Sequence, residues 1–283
     1  MQIRTLLSAL LLASLPTLAM AQDAPATKQA YRVLLVGNSF TYANNLPALL
    51  RAVGAAQGTP IATETYAAPG GTLAERWKEG LVAKSLEERR FDAVVLQEQG
   101  GHLAACMASL QEQRKAPCAA SQRAYREISA LATSKGGKVL VFAGWGPDER
   151  WQGKLDRSAR MIAESNSAKV FDAAAALRAL HEVQPAIDLY PDDTHPSTQA
   201  SLMLALALYR DITGTTPIAR DLRVTAPLLP VNAAVSAASP MESQPGLAGD
   251  GKVMLVPANL VEPLVKALPE PDTEKANRPR RGR

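Results

Sequence analysis

The stretch YRVLLVGNSFTYANN, residues 31–45, decides the fold class. Val33, Leu34, Leu35 and Val36 run without the polar alternation of a half-exposed sheet. A strand of this kind expects apolar cover on both faces, as a buried parallel strand has. Gly37, Asn38 and Ser39 follow as a small polar turn, and NLPALLRAVGAAQG then reads as a helix. Pro47 suits its first turn and Gly58 its end.

The same alternation continues outward. TPIATETYAAPGG holds a second strand and a glycine turn, and residues 72–90 read as one charged amphipathic helix. FDAVVLQEQGG is a third strand with a polar end, followed by a cysteine-containing loop and a helix over 120–134. GGKVLVFAGWG is a fourth strand, stopped by Gly146 and Pro147, with a helix after it over 153–166. AKVFDAAAALRAL gives a fifth strand running into a short helix, and HPSTQASLMLALALYRDITG closes with a helix capped at Gly214. Strands alternating with helices over short links imply an α/β class: a parallel sheet covered on both faces, a three-layer αβα sandwich over residues 30–217.

The flanks differ from this core. Residues 1–21 have the layout of a secretory signal peptide: Arg4, an apolar run over 6–15, and small residues at Ala19 and Ala21, with cleavage expected after Ala21. An uncleaved anchor is the competing reading, but the run is short for a membrane span and Pro16 breaks it. Residues 22–29 are a linker. The mature chain is therefore expected to be exported, periplasmic or secreted, without stable membrane insertion. In an oxidising compartment Cys106 and Cys118 are expected to pair as a disulfide. Two sulfurs with His102 nearby make a poor metal-ligand set, so no metal is expected.

Residues 218–283, rich in Pro, Ala, Ser and Gly, read as a loosely packed extension with one short helix in VPANLVEPLVKAL and about a dozen disordered residues at the end. No chemistry is identifiable there. The formal charge is +4 over 283 residues, and much of the excess sits in KANRPRRGR. Without a basic stripe interleaved with aromatics elsewhere, nucleic acid is not an expected partner.

In an open parallel sheet, ligands gather at the carboxyl ends of the strands. The polar residues there are Gly37-Asn38-Ser39, Gly70-Gly71-Thr72 and Gln97-Glu98-Gln99, with Asp192, Asp193 and His195 in the loop after the fifth strand. His195 has a carboxylate three residues before it, a spacing that lets Asp192 accept from the imidazole Nδ1 and leaves Nε2 free for a proton. DDTHPS could equally be a plain helix cap. A serine nucleophile needs a base, an orienting acid and oxyanion donors together. Here the donors would be the Ser39 N–H, the Gly70 N–H and an amide from the third strand.

These residues resemble the SGNH, or GDSL-like, hydrolase superfamily of serine esterases. VGNSFT is similar to its first block, with Asn38 where the family has Asp; APGGTL is similar to the second, and YPDDTHPS to the last, D-x-x-H-P. The third block departs: LQEQGG stands where G-x-N-D is usual. Some carbohydrate-esterase branches, with Gln at the strand end, favour Gln97 as the donor; alignment on G-x-N favours Gln99. The resemblance covers about residues 31–214. It implies a flavodoxin-like five-stranded parallel sheet, a Ser39–His195–Asp192 triad, an oxyanion hole of Ser39, Gly70 and Gln97, and no cofactor.

The function implied is an exported esterase acting on small acyl esters, O-acetylated carbohydrate among them. A binding protein that has lost catalysis and an O-acyltransferase using the same triad are the alternatives. Trp145 reads as a substrate-pocket or packing residue, Glu98 as solvated, and Tyr42 and Asn44 as neighbours of the serine. Oligomeric state is not legible.

Overall fold

Five parallel strands, in the order β2-β1-β3-β4-β5, form the centre of the molecule. They are β1 (Tyr31–Gly37), β2 (Ile61–Ala67), β3 (Ala93–Leu96), β4 (Lys138–Ala143) and β5 (Lys169–Asp172). The computed structural model describes residues 29–269. The expected signal peptide and the basic segment KANRPRRGR lie outside the described residues.

Alternate residues of each strand sort the two faces. Val33, Leu35, Val95, Leu140 and Phe142 pack beneath α2 (Leu46–Ala56), α9 (Ala173–Val183) and α10 (Thr198–Thr213). Leu34, Val36, Val94, Leu96, Val139 and Val141 pack beneath α3 (Leu73–Lys78), α4 (Leu81–Glu88), α7 (Ala116–Ser134) and α8 (Glu149–Ser165). This two-sided cover is why the strands are continuously apolar. Each fully buried Val or Leu contributes roughly 1.5–3 kcal/mol. The α/β three-layer class expected from the sequence is the one observed. Strand order reverses between β1 and β3, the crevice where such sheets take ligands.

Three elements differ from expectation. The helix expected over 72–90 is two helices, α3 and α4, because Gly80 adopts a left-handed φ of 79° between them. Each half can then turn its own apolar residues, Leu73 or Val82 and Leu86, onto the sheet. The cysteine stretch folds into α5 (Gly100–Cys106) and α6 (Leu110–Gln113). The disulfide joins Cys106 to Cys118 at the start of α7, with 5.1 Å between Cα atoms.

The third difference is the C-terminal segment, which packs closely against the domain. It adds an antiparallel pair, β6 (Leu222–Val224) with β7 (Met254–Val256), and α11 (Ala258–Lys266). Leu229, Val235, Met241 and Leu247 are buried together with Tyr42 and Ala67. Glu242 covers the outer strand β2, its carboxylate accepting from the Thr65 N–H (2.8 Å) and from the Thr63 and Thr65 hydroxyls (both 2.7 Å). An outermost strand otherwise offers its ladder groups to other chains. These contacts are irregular, so no periodicity announces them in the sequence. Among the described residues, no helix is long and apolar enough to cross a membrane.

Candidate active site

Ser39 opens the short helix α1 (Ser39–Tyr42) directly after β1. Asn38 caps that helix, its Oδ1 accepting from the Phe40 N–H at 3.2 Å, while its Nδ2 donates to the Gly71 carbonyl at 3.0 Å. An aspartate here would lack the second donor; asparagine supplies both bonds and ties the first polar turn to the second. Beneath them lies Gln97, 2% exposed. Its Oε1 accepts from the Asn38 N–H (2.9 Å) and the Thr41 hydroxyl (3.1 Å), and its Nε2 donates to the Glu98 carbonyl (2.7 Å). Gly37 permits this arrangement, since a Cβ there would stand 2.6 Å from Gln97 Oε1.

His195 reaches Ser39 from the loop before α10. Its Nε2 lies 2.8 Å from Ser39 Oγ, and its Nδ1 lies 2.8 Å from Asp192 Oδ2. The other Asp192 oxygen accepts from the backbone N–H of His195 (2.6 Å) and of Thr194 (3.1 Å). Those bonds, the His195 N–H foremost, hold the Asp192 carboxyl below its ordinary value despite some opposing burial. Asp193, with φ at 64°, makes the turn between them.

Gly70 follows Pro69 in a β-turn closed by the Gly71 N–H on the Ala68 carbonyl at 3.2 Å. Its φ of 63° is the left-handed value that the third residue of a Pro-Gly type II turn requires. Gln99 stands apart: it is exposed and caps α5, accepting from the His102 N–H at 2.6 Å. Trp145 is 8% exposed and donates to the Thr194 carbonyl at 2.7 Å, so it props the histidine loop. It stacks on Phe40 at 4.4 Å between ring centroids, and Phe40 sets its ring edge-on to His195 at 5.7 Å.

Glu98, expected to be solvated, is 3% exposed. It turns inward at the end of β3, where its Oε1 accepts from the N–H groups of Gln99 (2.9 Å) and Leu73 (3.3 Å). Burial pushes its carboxyl up. His102 lies beside the disulfide with Nε2 3.0 Å from Ser121 Oγ. Cys106 and Cys118 are bonded to each other and offer no thiolate to a metal.

Asn44 does more than border the site. Its Nδ2 donates to the Pro196 carbonyl (2.7 Å) and to Ser201 Oγ (3.0 Å), and its Oδ1 accepts from the Thr198 hydroxyl (3.2 Å). It thereby ties the serine turn to the residue after His195. The C-terminal segment holds the same turn from outside, through Tyr42 Oη to the Val231 carbonyl (3.1 Å), Asn44 N–H to Leu229 (2.9 Å) and Asn45 Nδ2 to Pro227 (2.9 Å). The sequence signal for this was slight: two adjacent asparagines, both with positive φ in the structure.

Fold and site together define a doubly covered parallel α/β protein with serine, histidine and aspartate in a hydrogen-bonded series at the carboxyl edge of its sheet. The chain is similar to Axe2, an acetylxylan esterase from Geobacillus stearothermophilus, at 18% identity and a TM-score of 0.48 over 69% of this chain and 99% of that one. It is also similar to TesA, at 20% identity and a TM-score of 0.49 over 65% of this chain and 98% of that one. No family model matches the chain, and no curated protein matches it.

Proposed function

We propose that the protein is an exported serine esterase of SGNH type that hydrolyses small acyl esters, O-acetyl groups on carbohydrate being one substrate class. The observation that carries this reading is the paired 2.8 Å spacing on His195, Nε2 to Ser39 Oγ and Nδ1 to Asp192 Oδ2. Such a pairing fixes the tautomer that can take a proton from the serine.

In the proposed reaction Ser39 Oγ attacks the ester carbonyl while its proton passes to His195 Nε2. The Asp192 carboxylate stabilises the imidazolium. The Ser39 and Gly70 N–H groups, with the remaining Nε2 hydrogen of Gln97, are assigned to the oxyanion. Collapse breaks the bond between the carbonyl carbon and the alcohol oxygen, which leaves with the proton from His195. Water, deprotonated by His195, then attacks the acyl-serine and releases the acid. These steps use the chain's own groups. The disulfide supports export, since such bonds persist in oxidising compartments.

The test uses p-nitrophenyl acetate and a fluorophosphonate probe on the mature protein, Ser39→Ala and His195→Ala. Turnover and labelling are expected in the wild type and lost in both variants. Labelling that survives Ser39→Ala would overturn the assignment.

A further inference from the structure

The loop after β4 lies against both halves of the triad. Trp145 stacks on Phe40, the residue after the nucleophile, with ring centroids 4.4 Å apart and planes 14° apart. It also stacks on Tyr190, two residues before Asp192, at 5.5 Å and 28°. The Tyr190 carbonyl accepts from the Asp193 N–H at 2.8 Å and so closes the turn that carries the acid. The indole Nε1 donates to the Thr194 carbonyl at 2.7 Å, in the peptide unit that leads into His195. Stacking adds to the energy of burial, and a buried indole N–H needs a partner. One side chain therefore touches the segments that carry Ser39, Asp192 and His195.

Trp145 itself stands on irregular backbone. β4 ends at Ala143, and residues 144–148 are neither helix nor strand. Gln152, near the start of α8, reaches back to this stretch. Its Nε2 donates to the Gly144 carbonyl (3.2 Å), and its Oε1 accepts from the Gly146 N–H (3.0 Å). The two bonds grip the backbone on either side of Trp145. Asp156 Oδ1 accepts from the same Nε2 at 2.7 Å, which fixes the end of the amide that faces Gly144. The task needs a donor and an acceptor on one side chain, as a carboxamide has. A glutamate would set a carboxylate oxygen against the Gly144 carbonyl and the Asp156 carboxylate.

We infer that Gln152 is a positioning residue for the reaction, acting through Trp145 to set His195 against Ser39. The inference rests on the esterase reading for its kinetic part, and the experiment separates the two. A misplacement of about 1 Å can cost 10²-fold in rate, and loss of the amide grip relaxes the indole by part of that distance. Gln152→Ala and Gln152→Glu should each lower kcat for p-nitrophenyl acetate about tenfold with KM unchanged. Trp145→Phe keeps a ring to stack but deletes the N–H that binds Thr194, and should lower kcat by about the same factor. In the Trp145→Phe background, Gln152→Ala should lower kcat by less than about twofold more, because the link it acts through is already cut. Its loss of melting temperature should be the same in both backgrounds. A full tenfold loss of kcat in both backgrounds, or an unchanged kcat in Gln152→Ala, would overturn the inference.

Proton NMR supplies a second readout independent of turnover. An imidazole Nδ1–H bonded to a carboxylate exchanges slowly with water and resonates far downfield, and the His195→Ala spectrum assigns it among the three histidines. The signal should be sharp in the wild type and in Gln99→Ala, and broadened by exchange in Gln152→Ala and Trp145→Phe. An equally sharp signal in Gln152→Ala would refute the positioning role. If the wild type neither turns over p-nitrophenyl acetate nor takes the fluorophosphonate label, the esterase reading fails, while broadening in Gln152→Ala still establishes the link from Gln152 to His195.

Discussion

Asn44 offers the sharpest test of how the serine and histidine are held together. Its side chain makes three hydrogen bonds, to the Pro196 carbonyl, Ser201 Oγ and the Thr198 hydroxyl, in a partly buried position. At about 1 kcal/mol net for each bond, removing the side chain costs about 3 kcal/mol. Its φ of 52° adds a second effect. Alanine is strained in the left-handed region by roughly 1–2 kcal/mol, and glycine is not. Asn44→Ala should therefore destabilise by about 4–5 kcal/mol and Asn44→Gly by about 3 kcal/mol. Melting separates them at roughly 2–4 °C per kcal/mol for a domain of this size.

The catalytic expectation differs from the stability one. Both variants cut the tie between the serine turn and the residue after His195, and a displacement of about 1 Å can cost 10²-fold in rate. The kcat for p-nitrophenyl acetate should fall by about that factor in both variants, with little change in KM. An Asn44→Gly protein that melts early yet keeps full kcat would show that the tie is structural and does not set His195 against Ser39. Equal melting temperatures for the two variants would refute the argument from backbone strain.

Four further outcomes are expected. Gln97→Ala should lower kcat by about 10²–10³, whereas Gln99→Ala should keep kcat and lose roughly 1 kcal/mol of stability as a helix cap, so the reverse pattern in paired kinetics and melts would exchange their roles. Because the Asp192 carboxyl is held down by its His195 contacts, their stabilising effect is complete above about pH 4 and lost as pH falls through the lowered value; the Asp192 carboxyl carbon NMR signal should titrate below the ordinary aspartate value, and titration at or above that value would contradict it. Glu98 has the opposite sign: burial raises its carboxyl, so wild-type stability declines as pH rises from 4.5 through the raised value. Glu98→Gln should flatten that decline, and parallel melting curves across pH would contradict it. Reducing the Cys106–Cys118 disulfide, a separation of 12 residues, should cost about 3 kcal/mol, read as a lower melting temperature with dithiothreitol; an unchanged melt would place no constraint on the loop.

Much of the fold was legible because apolar periodicity is local. Val33 to Val36 announced a strand covered on both faces, and each later strand repeated the pattern. The helix break at Gly80 was not legible, since a glycine inside an amphipathic pattern fits a continuous helix as well as a turned one. Glu98 was misread for a related reason. A polar residue at a strand end usually faces water, and its inward turn depends on the Leu73 N–H, which lies 25 residues away.

The sequence by itself determined the α/β class, the strand ends where polar residues collect, and the spacing of Asp192 to His195, because each depends on neighbours within a few residues. Tertiary structure alone decided what stands beside Ser39. The Asn44 bridge and the burial of Gln97 beneath the serine turn both join segments far apart in the chain. Such contacts are made by irregular backbone and single side chains, which leave no period in the sequence. They are fixed when the sheet closes and its flanking layers pack.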